Sequence, residues 1–232
     1  MQLFYCPEVL EGNLHLSNEE SKHCVKVLRK KEGDFINLID GQGNFYEVII
    51  KLASQNKTLF KIVKTWQEPP LSYSLHIAIA PTKNKDRFEW FLEKATEIGI
   101  DEITPIICDH SERKVIKHER MQKIILSATK QSLKAKIPIL NTSITLKSFL
   151  SKKQNVDCYI AHCKNQDKIN LHSVINKNSL ILIGPEGDFS DKEIDYALSN
   201  NFKPVSLGNS RLRTETAGII ACHTIALHHE KV

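Results

Sequence analysis

The sequence lacks the features that mark membrane and secreted proteins. None of its apolar runs approaches the roughly 20 residues that a membrane-spanning helix needs. The first residues carry no basic segment followed by a long apolar core, so we expect no signal peptide. The chain also has no internal repeat and no low-complexity tract. We therefore expect a cytoplasmic protein with no membrane contact.

Two common kinds of site are missing as well. The six cysteines include no Cys-x-x-Cys pair, so a zinc ribbon is disfavoured and buried, reduced thiols are expected. The adjacent His228 and His229 have no ligand-like spacing with carboxylates, and we expect no metal site. A Gly-x-Gly-x-x-Gly motif is absent, which disfavours a dinucleotide cofactor.

Charge is only mildly unbalanced. Lysine and arginine number 32 and aspartate and glutamate 27, which gives a formal net charge of +5. This bias permits a nucleic-acid partner without requiring one. Basic residues cluster at 22–31 and at 114–136. Most such lysines are typical of solvated surface, whereas arginine is better suited to bidentate contact with phosphate.

Hydrophobic patterning divides the chain into a small domain over residues 1–68 and a larger one over residues 74–232. The first has several short strands, including a hairpin closed by Gly41 and Gly43, and one short helix over Ser21–Arg29, which favours a small β-barrel. Asn18 or Ser21 is the candidate helix cap. Paired prolines within Trp66–Leu71 predict a linker, placed at residues 69–73.

From Ser74 onward, strands alternate with helices, which predicts an α/β domain with a mostly parallel sheet. The predicted strands are Leu75–Ala80, Ile103–Cys108, Asp157–Ala161, Ser179–Ile183 and Pro204–Leu207. The predicted helices are Asp86–Ile98, Glu119–Leu133, Leu146–Leu150, one opened by a capping box of Ser190 and Glu193, and one capped by Thr214.

Two strand–loop–helix units within residues 180–221 organise the chain. The loop Gly184–Gly187 follows the first strand, and the loop Gly208–Arg213 follows the second. Ligands of open α/β sheets bind beyond the carboxyl ends of neighbouring strands, so we expect a ligand site at these loops.

Motifs in these loops carry a family resemblance. They are Gly184-Pro-Glu-Gly187, Leu207-Gly208 and Leu212-Arg-Thr-Glu-Thr-Ala217, with further blocks at Val27–Arg29, Lys94–Gly99, Ser111–Arg113 and Lys130–Ser132. Over nearly its whole length the chain resembles the SPOUT-class bacterial methyltransferases that modify uridine N3 in 16S ribosomal RNA. Two differences fall in the predicted cofactor loops: the family usually has glycine at Asp188 and Pro-Arg at Asn209-Ser210.

The resemblance implies a fold and a set of partners. It implies an N-terminal PUA-like β-barrel for RNA and a C-terminal SPOUT α/β domain threaded into a trefoil knot, a topology too rare for periodicity to predict. It also implies S-adenosyl-L-methionine as methyl donor. The substrate would be 16S ribosomal RNA of the small subunit, and the protein would be a homodimer with its site near the subunit interface.

The resemblance also assigns site residues. Those assigned to the cofactor are Leu182, Ile183, Gly184, Glu186, Gly187, Leu207, Gly208, Leu212, Thr214 and Thr216. The glycines would admit the adenine and ribose where a Cβ would clash, or would only form turns. The residues assigned to RNA phosphates are Arg29, Lys30, Arg87 and Arg113.

Uracil N3 must lose its proton before it attacks a methyl group. Glu215 is the candidate base, and Arg213 would stabilise the anion or clamp a phosphate. Alternatively, Glu215 only complements the helix dipole, Arg213 forms a structural salt bridge, and Glu186 ties down its loop instead of acting as a base. Two other functions stay open: a SPOUT enzyme for another RNA target or a 2′-hydroxyl, and a non-catalytic RNA-binding assembly factor.

Overall fold

The computed structural model describes residues 2–230. The chain divides into two compact units, Met1–Pro70 with Leu126–Ile137, and Leu71–Ile125 with Pro138–Val232. The segment Leu126–Ile137 thus joins the first unit, whereas hydrophobic patterning groups it with the second. No helix within residues 2–230 is long and apolar enough to cross a membrane.

The first unit contains a four-stranded sheet and a short helix. Its elements are β1 (Leu3–Tyr5), a 3-10 helix (Pro7–Glu11), α1 (Asn18–Lys22), β2 (Phe35–Ile39), β3 (Asn44–Leu52) and β4 (Leu59–Gln67). The strand order is β1-β2-β3-β4, with β1 parallel to β2 and the other pairs antiparallel. The β2–β3 pairing confirms the predicted hairpin. Trp66 pairs within β4 and stacks on Phe45 with ring centroids 5.3 Å apart, so the Trp66–Leu71 pattern overlaps β4 at its start, while the linker at residues 69–73 stays a prediction.

The helix in the basic cluster begins earlier than predicted. Its cap is Ser17, whose side chain accepts a hydrogen bond from the Glu20 backbone, so neither Asn18 nor Ser21 has that role. After α1 the chain continues through a π-helical turn, His23–Val27. Arg29 then takes a positive φ of 55°, a left-handed conformation that does not continue a helix.

Polar contacts attach Leu126–Ile137 to the rest of the first unit. The Lys130 ammonium lies 2.7 Å from the Glu20 carboxylate. The Glu68 carboxylate accepts hydrogen bonds from the backbone of Ala135 and Lys136 at 2.7 and 2.8 Å. Ala135 itself is buried in a small apolar cluster. Pairing of this kind depends on residues more than 60 positions apart, which local periodicity does not detect.

The second unit is built on a parallel sheet. Its elements are β5 (Ser74–Ile79), α2 (Lys85–Ile98), β6 (Glu102–Ile107), α3 (His118–Gln131, whose last turns belong to the first unit), β7 (Ile139–Leu140), β8 (Ile144–Thr145), α4 (Leu146–Leu150), β9 (Asp157–Ala161), β10 (Ile169–Asn170), a 3-10 helix (Leu171–Ser173), β11 (Asn178–Ile183), α5 (Asp191–Ser199), β12 (Lys203–Ser206) and α6 (Thr214–His229). The sheet order is β10-β12-β9-β11-β5-β6-β7, and β8 pairs with β6.

Every strand pair in this sheet is parallel, which confirms the predicted architecture. The strand β11 pairs with β9 on one side and β5 on the other, and its residues 180–182 are fully buried, as expected for a strand covered on both faces. Because the strands are parallel, the loops that follow β9, β11 and β12 leave the sheet at one edge. That edge is where the candidate site lies.

Close packing of α6 depends on Gly218. The helix packs on α2, and a Cβ added to Gly218 would lie 2.6 Å from the Phe91 ring and 2.9 Å from the Ile79 side chain. Both distances are far below ordinary van der Waals contact, and both partners are fully buried. The glycine therefore sets how closely α6 approaches α2 and β5.

We expect Gly218→Ala to lower the free energy of unfolding by about 1–2 kcal/mol, because overpacking outweighs the roughly 1 kcal/mol that alanine gains in helix propensity. Chemical denaturation of the purified variant measures this. Combining it with Phe91→Leu should cost less than the sum of the two single changes, because the smaller side chain makes room for the methyl group. If the two losses of unfolding free energy simply add, the Phe91 ring does not limit how closely α6 approaches α2.

Candidate functional site

A hydrogen bond joins the loop after β11 to the first residue of α6, which directly follows the loop Gly208–Arg213. The Thr214 hydroxyl donates to the Gly184 carbonyl at 3.0 Å, and both residues are buried. The prediction that Thr214 caps α6 is wrong: the cap position is Arg213, which makes no side-chain capping bond. Thr214 instead satisfies a carbonyl at the end of β11 that would otherwise be buried without a partner.

The loop after β11 is also tied to the start of α2. The Glu186 carboxylate accepts a hydrogen bond from the Lys83 backbone at 2.9 Å. The Arg113 guanidinium donates to the carbonyls of Thr82 and Lys83 at 3.0 and 2.6 Å. These contacts favour the view that Glu186 ties down its loop, and they give Arg113 a positioning contact besides its predicted role with RNA.

Ser190 confirms the predicted capping box: its side chain and that of Glu193 each accept from the other's backbone. The box fixes the start of α5 directly after the loop. The Glu193 carboxylate also accepts from the Asp109 backbone at 2.8 Å, so the same side chain holds the loop after β6.

Asp188 holds two loops together. Its φ of 62° lies in the left-handed region, which glycine occupies without strain and which aspartate tolerates better than most residues. Its carboxylate accepts hydrogen bonds from the backbone of Cys163 at 2.8 Å and of Phe189 at 2.9 Å. The aspartate therefore adopts the conformation of the usual glycine and links the end of β11 to the end of β9.

The loops enclose two adjoining depressions of about 430 and 250 Å³. Residues that line both are Ala161, Cys163, Asp188, Arg211, Leu212 and Ala217. The larger falls within the roughly 300–1,000 Å³ typical of small-molecule sites. Leu207 and Gly208 line this larger one, and the φ of 128° at Gly208 is one that a side chain rarely permits.

Most of the predicted cofactor residues meet at these depressions. Those that line them are Ile183, Gly184, Glu186, Leu207, Gly208, Leu212 and Thr214. Three do not: Leu182 is fully buried in the core, Gly187 is exposed, and Thr216 lines neither depression although its neighbours Thr214 and Ala217 do. These three assignments stay predictions.

Sequence reasoning missed the contribution of β9. Its carboxyl end supplies His162, Cys163 and Lys164 to the wall of the larger cavity, although no motif there drew attention. The expectation of uniformly buried thiols is also wrong at Cys163, which is exposed because it lies in the loop after the strand. The predicted strand Asp157–Ala161 could have indicated this contribution, because the loop that follows a parallel strand leaves the sheet at the same edge as the other two loops.

The two catalytic candidates sit in different surroundings. Arg213 is exposed, lines the smaller depression, and forms no ion pair with another residue in the part of the chain that the structure describes. Glu215 is only 5% exposed and lies 3.7 Å from the Arg87 guanidinium. Its second oxygen, Oε2, is buried and has no hydrogen-bond partner among residues 2–230. Arg213 therefore forms no structural salt bridge among the described residues, whereas Arg87 forms one with Glu215.

The four predicted RNA-binding residues divide between the units. In the first unit, Arg29 is exposed, and the Lys30 ammonium donates to the Phe35 carbonyl at 3.4 Å. In the second, Arg87 pairs with Glu215. Among the described residues, no group of three or more histidine, cysteine, aspartate or glutamate side chains is arranged to hold a metal ion.

A sequence profile of an RNA methyltransferase domain matches residues 68–226, and a profile of an RNA methyltransferase PUA domain matches residues 16–63. The chain belongs to the RNA methyltransferase family. It is 32% identical over 225 residues to the ribosomal RNA small subunit methyltransferase E of Mesomycoplasma hyopneumoniae, an alignment that covers 94% of this chain and 96% of that protein. The family predicted from the loop motifs is thus confirmed.

Solved structures of RNA methyltransferases have the same fold. A probable rRNA-methyltransferase from Porphyromonas gingivalis superposes with a TM-score of 0.92 and 40% identity, over 99% of this chain and 98% of that one. The ribosomal RNA small subunit methyltransferase E of Neisseria gonorrhoeae, bound to S-adenosyl methionine, superposes with a TM-score of 0.82 and 25% identity, over 96% and 95% of the two chains. The fold is therefore α/β with a mostly parallel sheet and a PUA-like domain.

We expect Thr214→Val to lower the free energy of unfolding by about 1–2 kcal/mol, because the isosteric side chain leaves the buried Gly184 carbonyl without its donor. Denaturation with guanidinium chloride measures the change. Thr224→Val is the matched control: its hydroxyl donates to the Ile220 carbonyl of the same helix at 2.7 Å, an oxygen that α6 already satisfies. Equal losses for the two variants would rule out a special role for the bond between the loops.

Proposed function

We propose that this protein transfers a methyl group from S-adenosyl-L-methionine to N3 of a uridine in 16S ribosomal RNA of the small ribosomal subunit. The observation that carries the proposal is the cavity of about 430 Å³ at the carboxyl edge of the parallel sheet, lined by the Leu207–Leu212 loop of the family signature. The S-adenosyl methionine bound to the similar Neisseria gonorrhoeae enzyme supports the choice of donor.

The residues present fit this donor. Leu207, Gly208 and Leu212 line the cavity, and the space beside the backbone of Gly208 allows a flat ring to approach closely. Apolar side chains next to main-chain donors and acceptors of the same loop suit a purine, which needs both stacking surface and edge-on hydrogen bonds. When bound, the donor supplies an electrophilic methyl group at its sulfonium.

Arg213 is proposed to stabilise the uracil anion. It is exposed at the smaller depression, next to the loop that lines both, and its charge is not neutralised by an acid in the described chain. A fixed cation beside a developing negative charge is among the larger contributions to catalysis. Glu215 stays the base candidate because its Oε2 has no hydrogen-bond partner among residues 2–230. Its other oxygen, Oε1, lies 3.7 Å from the Arg87 guanidinium.

Finer features of the fold are part of the same proposal. We infer that the first unit is a PUA-like barrel and that the second is a trefoil knot. Support for the knot comes from the path after β12: this strand lies on the far side of β9 from β11, so the chain crosses the end of β9 for Thr214 to reach Gly184 at the end of β11.

A homodimer is supported by the character of α6. Beyond the face that packs on α2, this helix carries Ile219, Ile220 and the 57% exposed Leu227. A helix that is apolar on most sides is normally buried on most sides. We propose that a second copy of the chain covers this surface.

The reaction is tested on small subunits from cells that lack the gene. We expect their 16S ribosomal RNA to lack one methyl group on a uridine base, and purified protein with S-adenosylmethionine to restore it. Mass spectrometry of nucleoside digests distinguishes N3-methyluridine from 2′-O-methyluridine. A methyl group on ribose would show a different SPOUT reaction, and unchanged RNA despite cofactor binding would favour a non-catalytic assembly factor.

We expect Arg213→Ala to slow methyl transfer by about 100-fold, the size seen when one group that stabilises a developing anion is removed. Affinity for S-adenosylhomocysteine should change little, which calorimetry checks. Arg120→Ala is the matched control, because this exposed arginine pairs with Glu89 and lines neither depression. Wild-type turnover by Arg213→Ala would remove this residue from the mechanism.

A further inference from the structure

His162 is a buried histidine whose ring nitrogens have no hydrogen-bond partner in the described part of the chain. It follows β9 directly, is 7% exposed, and lies in the wall of the larger cavity. Neither Nδ1 nor Nε2 has a hydrogen-bond partner among residues 2–230. Buried side-chain polar atoms nearly always have such a partner, and an imidazole needs two. Both ring nitrogens of this cavity-lining residue are therefore without a partner among the described residues.

The groups around the ring are engaged elsewhere. The Lys168 ammonium donates to the His162 carbonyl at 2.8 Å and to the Lys164 carbonyl at 2.9 Å, so it fixes the backbone of the loop. Lys164 pairs with Asp191 at 3.0 Å. The Asp188 carboxylate accepts from two backbone N–H groups. These contacts order the loop without using the imidazole.

The same surroundings keep the ring neutral. Burial lowers the pKa of His162 below its ordinary 6.5, and the positive charges of Lys168 and Lys164 lower it further, while Asp188 opposes them. A neutral imidazole offers one N–H donor and one lone pair. That pair of groups matches an uncharged ligand group that both donates and accepts.

We propose that His162 hydrogen-bonds the adenosine portion of the methyl donor, at a ribose hydroxyl or at the edge of the adenine. Adenosine is the uncharged part of S-adenosylmethionine and carries both donors and acceptors. The methionine portion carries an ammonium and a carboxylate, which charged partners bind better than a neutral ring does. The assignment rests on the proposed use of this donor, and it gives the loop after β9 a share in binding.

Calorimetry with two ligands tests the assignment. S-Adenosylhomocysteine contains adenosine and an amino-acid portion, whereas 5′-methylthioadenosine contains adenosine without that portion. We expect His162→Leu to weaken binding of both by about tenfold, the effect of losing about one hydrogen bond. His162→Gln keeps a donor and an acceptor and should recover part of the affinity.

Controls separate ligand binding from folding. His118→Leu removes a half-buried histidine that bonds the Leu140 carbonyl and does not line the cavity, so its affinities should equal those of the wild type. Thermal melts verify that each variant is folded before titration, and His162→Gln carries the test if His162→Leu does not fold. Wild-type binding of 5′-methylthioadenosine should hold from pH 8 to 6.5 and weaken below that as the ring gains a proton, a decline that His162→Gln should lack.

The outcomes are distinguishable. Wild-type affinity of the His162 variants for both ligands would overturn this inference and leave the proposed function intact. A loss confined to S-adenosylhomocysteine would also overturn it, because the ring would then serve the amino-acid portion. If the wild-type protein binds neither ligand, the proposed methyl donor fails and the inference fails with it.

Discussion

The bond from the Thr214 hydroxyl to the Gly184 carbonyl fixes where α6 begins, and much of the second unit follows from it. Gly218 lies one turn further along, and residues four apart share a face of a helix. The face that reaches the end of β11 is therefore the face that packs against Phe91 and Ile79. Loop closure and core packing are thus set by one helix register, and a shift of a single residue would break both.

Local chemistry made much of the fold predictable. Buried apolar runs identified the parallel strands, Ser190 and Glu193 identified the start of α5, and the end predicted at Ile98 is the end of α2. Each of these signals acts within a few residues. The errors came where a distant partner decided the structure: the Thr214 hydroxyl bonds a residue 30 positions away, and Trp66 remains in β4 because it stacks on Phe45.

The candidate site was predictable only in part, for the same reason. Two of its loops carry motifs, and residues assigned from them, such as Leu207 and Gly208, do line the cavity. The third loop, after β9, has no motif, so His162 became visible only once parallel pairing brought its strand beside β11 and β12. Glu186 is the opposite case. The sequence motif predicts a role for it at the site, but in the structure its carboxylate accepts a hydrogen bond from the Lys83 backbone N–H.

Asp188 has a thermodynamic consequence beyond its geometry. A flexible binding loop loses conformational entropy when a ligand orders it, and this loss subtracts from affinity. By accepting a hydrogen bond from the backbone of Cys163, Asp188 restricts both the loop after β9 and the loop after β11. The hydrogen bond between Glu186 and the Lys83 backbone restricts the loop after β11 further. Part of this loss of conformational entropy therefore occurs during folding, before a ligand binds. The affinity of this site for a small ligand therefore depends on loop stiffness as well as on the atoms that touch the ligand.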